Sequence, residues 1–258
     1  MSAAQRLDLE LAARGLARSR SHARQLIDSG RVSVHGRPAK AGAKVTASDP
    51  IEVEPDRYVS RGAQKLLHAL EVFDADPAGR SVLDVGASTG GFTQVLLERG
   101  AAHVTALDVG HGQFALPAEP RIRVLEGVNV RDVAPGDLDD SIDFVVSDVS
   151  FISATFLFEP LVAALPRARD WIVLVKPQFE VGRERIGDGV VRDPRLRKAA
   201  VGAVVDRARR FGLDLAGLAR SPIEGALGNV EHLAHFVTAG ENPTEWERLF
   251  EDAEGEAG

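Results

Sequence analysis

Two hydrophobic rhythms divide the chain. Ser81 to Leu83, Ala102 to Leu107, Ile142 to Ser147 and Trp171 to Val175 are near-continuous apolar runs, the pattern of parallel strands covered by helices on both faces. Phe92 to Leu97 and Ala199 to Phe211 instead carry apolar residues at helical spacing. This alternation predicts an α/β domain over residues 60–240. The first 56 residues are patterned differently. Leu7, Leu11 and Ala12 sit at helical spacing and stop at Gly15; Ser19 then caps a second helix carrying Ala23, Leu26 and Ile27, which ends at Gly30. Val32-Ser33-Val34, the turn His35-Gly36-Arg37-Pro38 and Ile51-Glu52-Val53 predict short strands, making a small α+β unit over residues 1–56. Residues 57–59 read as a linker, and residues 241–258 as an acidic tail without fixed structure.

The junction of strand and helix at Asp84-Val85-Gly86-Ala87-Ser88-Thr89-Gly90-Gly91-Phe92-Thr93 carries the sharpest chemical signal. Three glycines let the backbone turn and approach a ligand, and the helix start offers free amides with a partial positive charge. The next strand ends in Asp108, roughly 20 residues on, where doubly wound folds keep an acid for a ribose. The dinucleotide fingerprint is broken, because Ser88 stands where a second glycine must admit a pyrophosphate, and no Gly-Lys-Ser/Thr follows to make a P-loop. Asp84 suits a cation better than a phosphate. These features favour S-adenosylmethionine, which carries an amino group and a sulfonium but no phosphate. The candidate cofactor contacts are Asp84, Gly86, Ala87, Ser88, Thr89, Gly90, Gly91, Phe92, Asp108, Asn129 and Asp148.

Charge changes the picture of the first unit. The chain has a net charge of -7, no cysteine and 44% hydrophobic residues. Residues 1–44 nevertheless hold nine Lys or Arg against Asp8, Glu10 and Asp28, a balance of +6, whereas residues 241–258 hold seven acids against Arg248, a balance of -6. A basic head with Arg6, Arg14, Arg18, Arg20, Arg24, Arg31 and Arg37 crowded on a short module suits phosphate contacts. The absence of cysteine excludes disulfides, a thiol nucleophile and a cysteine metal site. No apolar run approaches membrane-spanning length and the start is too polar for a signal peptide, so a soluble cytoplasmic chain is expected.

The run from Arg6-Leu7-Asp8 through Ala17-Arg18-Ser19-Arg20 to Leu26-Ile27-Asp28-Ser29-Gly30-Arg31-Val32-Ser33-Val34-His35-Gly36 resembles the S4 RNA-binding domain. In the larger domain, Asp148 and Lys176 end two strands and are expected in one crevice, since ligands of open α/β sheets bind outside the carboxyl ends of the strands. Lys65 and Glu231 taken singly would pass for a helix-surface lysine and an edge-strand glutamate. Together with Val59-Ser60-Arg61-Gly62-Ala63, Asp148 to Ser153, Val175 to Val181, Gly189-Val190-Val191, Asp193-Pro194 and Gly228 to Leu233, they resemble the TlyA family, which joins an S4 domain to an FtsJ-like methyltransferase domain.

That resemblance implies a Rossmann-like fold, ribose 2′-O-methylation of ribosomal RNA with a cytidine as the leading target, S-adenosylmethionine as cofactor, and a catalytic tetrad of Lys65, Asp148, Lys176 and Glu231. A ribose hydroxyl is a weak acid, so its attack on a methyl group needs a base and an in-line arrangement. Lys176 is the candidate base, with Lys65 as a neighbouring cation or orienting group, and Asp148 and Glu231 as partners of the two ammonium groups. No metal is required, because the leaving group departs neutral. One departure from the family lies at the adenine end: Val109 to Pro117 is short and has His111 where a tyrosine is common. A lytic protein and an RNA-binding protein with an inactive methyltransferase scaffold are the alternative classes; the sequence shows no lytic amphipathic segment and keeps all four tetrad residues.

Overall fold

The computed structural model describes residues 4–17, 19–54, 57–182, 186, 188–240 and 243–255. It falls into two compact units, Met1–Arg57 and Tyr58–Gly258.

In the first unit, α1 (Leu7–Ala13) packs on α2 (Arg20–Asp28) through Leu7, Leu11, Ala23, Leu26 and Ile27, all buried with Val32 and Val45. Ser19 caps α2, its hydroxyl accepting from the His22 amide at 3.1 Å. A two-stranded ribbon joins β1 (Gln5–Arg6) to β4 (Lys44–Val45), and β2 (Val32–Val34) pairs antiparallel with both β3 (Arg37–Pro38) and β5 (Ile51–Val53). His35 and Gly36 both take positive φ between β2 and β3, the conformation of a two-residue hairpin.

The second unit is built on a seven-stranded sheet. In spatial order it runs β11 (Leu213–Arg220), β12 (His232–Thr238), β10 (Asp170–Val175), β9 (Phe144–Ser147), β6 (Ser81–Val85), β7 (His103–Asp108) and β8 (Ile122–Glu126). All neighbours are parallel except β12, which is antiparallel to both β10 and β11. Alternate strand residues feed two cores. Val82, Val104, Phe144, Val146, Ile172 and Leu174 meet α3 (Gly62–Val72) and α4 (Gly91–Glu98), whereas Leu83, Val85, Val145, Trp171, Val173 and Val175 meet α5 (Phe158–Ala164) and α7 (Pro194–Arg210). This double coverage is why the strands read as unbroken apolar runs. A short helix, α6 (Pro177–Glu180), follows β10 directly.

Two expectations need correction. Residues 241 and 242 and 256–258 lie outside the described residues, but the acidic tail between them forms α8 (Trp246–Gly255). Its apolar face buries Phe250 and Ala253 in the core, and Arg197 and Lys198 of α7 pair with Glu254 and Glu251. Amphipathic spacing of Trp246, Phe250 and Ala253 overrides the low complexity of the composition. Tyr58 and Val59, read as linker, are packed into the second unit: Tyr58 lies against the α3/α4 core and Val59 donates its amide to Gln94 at 3.0 Å.

Candidate active site

The strand order reverses between β6 and β9, and the carboxyl ends of the strands there face the start of α4. A cavity of about 380 Å³ opens at this point, lined by Lys65, Asp148, Lys176 and Glu231 among others. Lys65 comes from α3, Asp148 follows β9, Lys176 follows β10, and Glu231 precedes β12. Lys65 Nζ donates to Glu231 Oε2 at 2.6 Å and lies 4.0 Å from Asp148 Oδ2. Lys176 Nζ lies 2.6 Å from Asp148 Oδ1 and donates to Ser150 Oγ at 2.7 Å. Gln178 donates to the other Glu231 oxygen at 3.3 Å.

The four groups therefore form a chain of alternating charge: Glu231, Lys65, Asp148, Lys176. Lys65 is 8% exposed, Lys176 7% and Glu231 2%. Two ammonium groups this deep persist only because each has a carboxylate partner. Sequence reasoning set Lys65 beside Lys176 as a second cation; the structure interposes Asp148 between them.

The glycine turn forms the floor. Gly86 has φ +82°, and a Cβ there would lie 2.9 Å from the Asp148 carbonyl oxygen; Gly90 has φ +93° under Phe114 and Leu116. A second cavity of about 360 Å³ continues from the first, sharing Gly86, Ser88 and Asp148. Asp108, Gly110, Gln113 and Asn129 supply its polar groups, and Val109, Val128, Val130 and Ile152 its apolar wall. Such a lining suits a nucleoside, since an acid can accept from a ribose and aliphatic surface can cover a flat ring. Asp108 is fixed in place by the amides of Ser88 and Gly110, at 2.8 and 2.7 Å.

Not every predicted contact lines these cavities. Ala87, Gly91 and Phe92 line the first only, whereas Thr89 and Gly90 line neither and act on the turn itself. Asp84 is a correction: it is fully buried beneath the turn, accepts from Thr93 Oγ1 at 2.6 Å, and lines neither cavity. Burial pushes its carboxyl up to about 7.

The basic head is also sorted by the structure. Arg14 donates to Glu10 and to the backbone carbonyls of Asp49 and Thr46, so it ties the unit together rather than facing a ligand. Arg6 and Arg20 converge on the buried Asp8, whose carboxyl is held down at about 2, first by the Arg6 hydrogen bond. Arg24 and Arg37 are exposed, Arg24 at 3.9 Å from Asp28, whereas Arg31 is half-buried and donates to the Glu54 carbonyl. Arg18 lies outside the described residues.

Sequence reasoning missed several residues that flank its own motifs. Phe151 is 87% exposed, has φ +70°, lines both cavities and lies 5.4 Å from the Phe179 ring. A bulky side chain held in the left-handed region is strained, and such strain gathers at functional sites. Its loop is pinned from below by Glu180, which accepts from the Ser153 hydroxyl and the Ala154 amide. The signal for Phe151 was adjacency to Asp148; its exposure could not be read from an apolar letter.

Comparison with known proteins identifies the family. The FtsJ-like methyltransferase family matches residues 58–237, and the S4 domain family matches residues 5–51. The 16S/23S rRNA (cytidine-2'-O)-methyltransferase TlyA of Mycobacterium tuberculosis is 48% identical over 240 residues, 90% of each chain. Hemolysin A of Brachyspira hyodysenteriae is 39% identical over 238 residues, covering 90% of this chain and 99% of that one. A solved structure described as a hemolysin from Streptococcus thermophilus is 35% identical with a TM-score of 0.75, covering 99% of this chain and 98% of that chain. With its S4 unit, its seven-stranded methyltransferase sheet and this degree of identity over nearly its full length, the chain belongs to the TlyA family of FtsJ-like methyltransferases.

Proposed function

We propose that this protein methylates the ribose 2′-hydroxyl of a cytidine in ribosomal RNA, using S-adenosylmethionine. The observation that carries the reading is the buried Glu231-Lys65-Asp148-Lys176 chain in a cavity continuous with a nucleoside-shaped one. The ribosomal and cytidine part rests on the relatives named for that activity.

The residues present fit the cofactor: a glycine cradle that a Cβ would fill, the Asp108 acid, and aliphatic walls. Bound there, S-adenosylmethionine supplies an activated methyl group on a sulfonium. Gly86, Ser88, Asp108 and Asn129 hold its nucleoside end. Lys176, once it has lost its own proton to solvent, takes the 2′-hydroxyl proton as the free amine, and Asp148 at 2.6 Å and Ser150 at 2.7 Å hold the ammonium that results. Lys65, clamped by Glu231, orients the attacking oxygen. Phe151 and Phe179 offer aromatic faces for an unstacked base, a contact worth about 1–3 kcal/mol per base. The exposed arginines of the first unit, Arg24 and Arg37, contact RNA phosphates.

The decisive experiment incubates the purified full chain with methyl-labelled S-adenosylmethionine and separated ribosomal subunits, then maps 2′-O-methyl groups. Label on a cytidine ribose supports the reading. Label on a base, or on no RNA while the cofactor binds, overturns it.

A further inference from the structure

The loop Val109 to Pro117 is held by a residue outside the two cavities. β7 and β8 run in register so that Asp108 and Glu126 pair at their ends. Glu126 accepts from three successive loop amides: Gly112 at 2.9 Å, Gln113 at 3.1 Å and Phe114 at 3.4 Å. Asp108 takes the Gly110 amide as well. Two carboxylates thus absorb the amides of 110, 112, 113 and 114, which neither helix nor strand would satisfy.

The conformation they impose shapes the nucleoside cavity. Gly110 and Gln113 line it beside Asp108. Phe114 and Leu116 close on Gly90, each 3.0 Å from where its Cβ would stand, and the Ala115 amide donates to the Thr89 carbonyl at 3.2 Å. Glu126 itself does not line the cavity. The loop amides, Gly112 first and then Phe114, hold its carboxyl below the usual glutamate range, so it is the ionised, stronger acceptor at neutral pH.

We propose that Glu126 is a positioning residue for the adenosyl end of the cofactor: it anchors the 110–114 loop so that Gly110 and Gln113 complete the cavity around Asp108. The inference rests on the assignment of that cavity to the cofactor. It separates affinity from chemistry, because Glu126 bonds the loop amides and does not line the cavity that holds Lys65, Asp148, Lys176 and Glu231.

The test is calorimetry of the full chain with S-adenosylhomocysteine and with 5′-methylthioadenosine, which lacks the amino-acid end. Glu126→Ala should raise both dissociation constants about tenfold or more, equivalent to about 1.4 kcal/mol. The KM for cofactor should rise likewise while kcat at saturating cofactor stays within about threefold. Glu126→Gln, which keeps one acceptor oxygen, should fall between parent and alanine variant. Hydrogen exchange at the Gly112, Gln113 and Phe114 amides should accelerate in Glu126→Ala. Unchanged affinity for both ligands in Glu126→Ala overturns this inference alone, and so does a fall in kcat at unchanged KM. Failure of the parent protein to bind either ligand overturns the cofactor assignment and this inference with it.

Discussion

Gly86→Ala tests whether the glycine turn is shaped by the residue it touches. Gly86 (φ +82°) and Gly79 (φ +72°) both sit in the left-handed region, where an alanine costs about 1 kcal/mol. Their surroundings differ. A Cβ at Gly79 meets nothing within 4 Å, whereas one at Gly86 stands 2.9 Å from the Asp148 carbonyl oxygen and 3.1 Å from the Val149 nitrogen. Those are backbone atoms, so relief requires shifting the segment that carries Asp148, at a further cost of about 2 kcal/mol by analogy with overpacked cores. At about 3 °C per kcal/mol for a unit of this size, Gly79→Ala should lower Tm by about 3 °C and Gly86→Ala by about 9 °C. Only Gly86→Ala should also weaken S-adenosylmethionine binding, because Gly86 and Asp148 line both cavities. Differential scanning calorimetry and titration calorimetry on both variants supply the comparison. Equal Tm shifts together with equal cofactor affinities would refute the close-approach argument.

Lys176→Ala should reduce methyl transfer about 10²- to 10⁴-fold while S-adenosylmethionine affinity stays within about threefold; near-normal single-turnover rates would remove Lys176 as the base. Asp84 has a folded-state value of about 7 against an ordinary carboxyl near 4, so the folded protein holds the extra proton and stability falls as pH rises from about 4 to about 7. Asp84→Asn should flatten that slope in urea melts between pH 5 and pH 8, and parallel pH profiles of variant and parent would contradict it. Arg24→Glu with Arg37→Glu should weaken ribosomal RNA binding and reduce the salt slope by about 2, leaving Tm unchanged. Arg14→Ala should do the reverse, lowering the melting of the first unit with little change in salt slope, since its guanidinium bonds Glu10, Thr46 and Asp49; filter binding across a salt series separates the two.

Periodicity was enough to name the four central strands β6, β7, β9 and β10, because residues buried on both faces must be apolar at every position. It did not name β8, β11 or β12, whose residues are partly exposed or interrupted by polar ones. Val82, Val145 and Ile172 therefore announce themselves as strand residues, and Ser19 and the His35-Gly36 turn as local punctuation, since capping and turn geometry depend on a few neighbouring residues. Gly86 and Asp108 were legible for the same reason: strand, turn and following strand tip lie within one local βαβ unit. The Lys65–Glu231 bond spans 166 residues, so no local pattern encodes it, and it was reached only by resemblance. Folding decided what local pattern could not. It set Asp148 between the two lysines, withdrew Asp84 beneath the turn and turned Arg14 inward to the backbone. It also laid the acidic tail on the core as a helix and left Phe151 exposed at the mouth. Each of these depends on which distant groups share a low-dielectric site, and a charge or an aromatic ring acquires its role only from those partners.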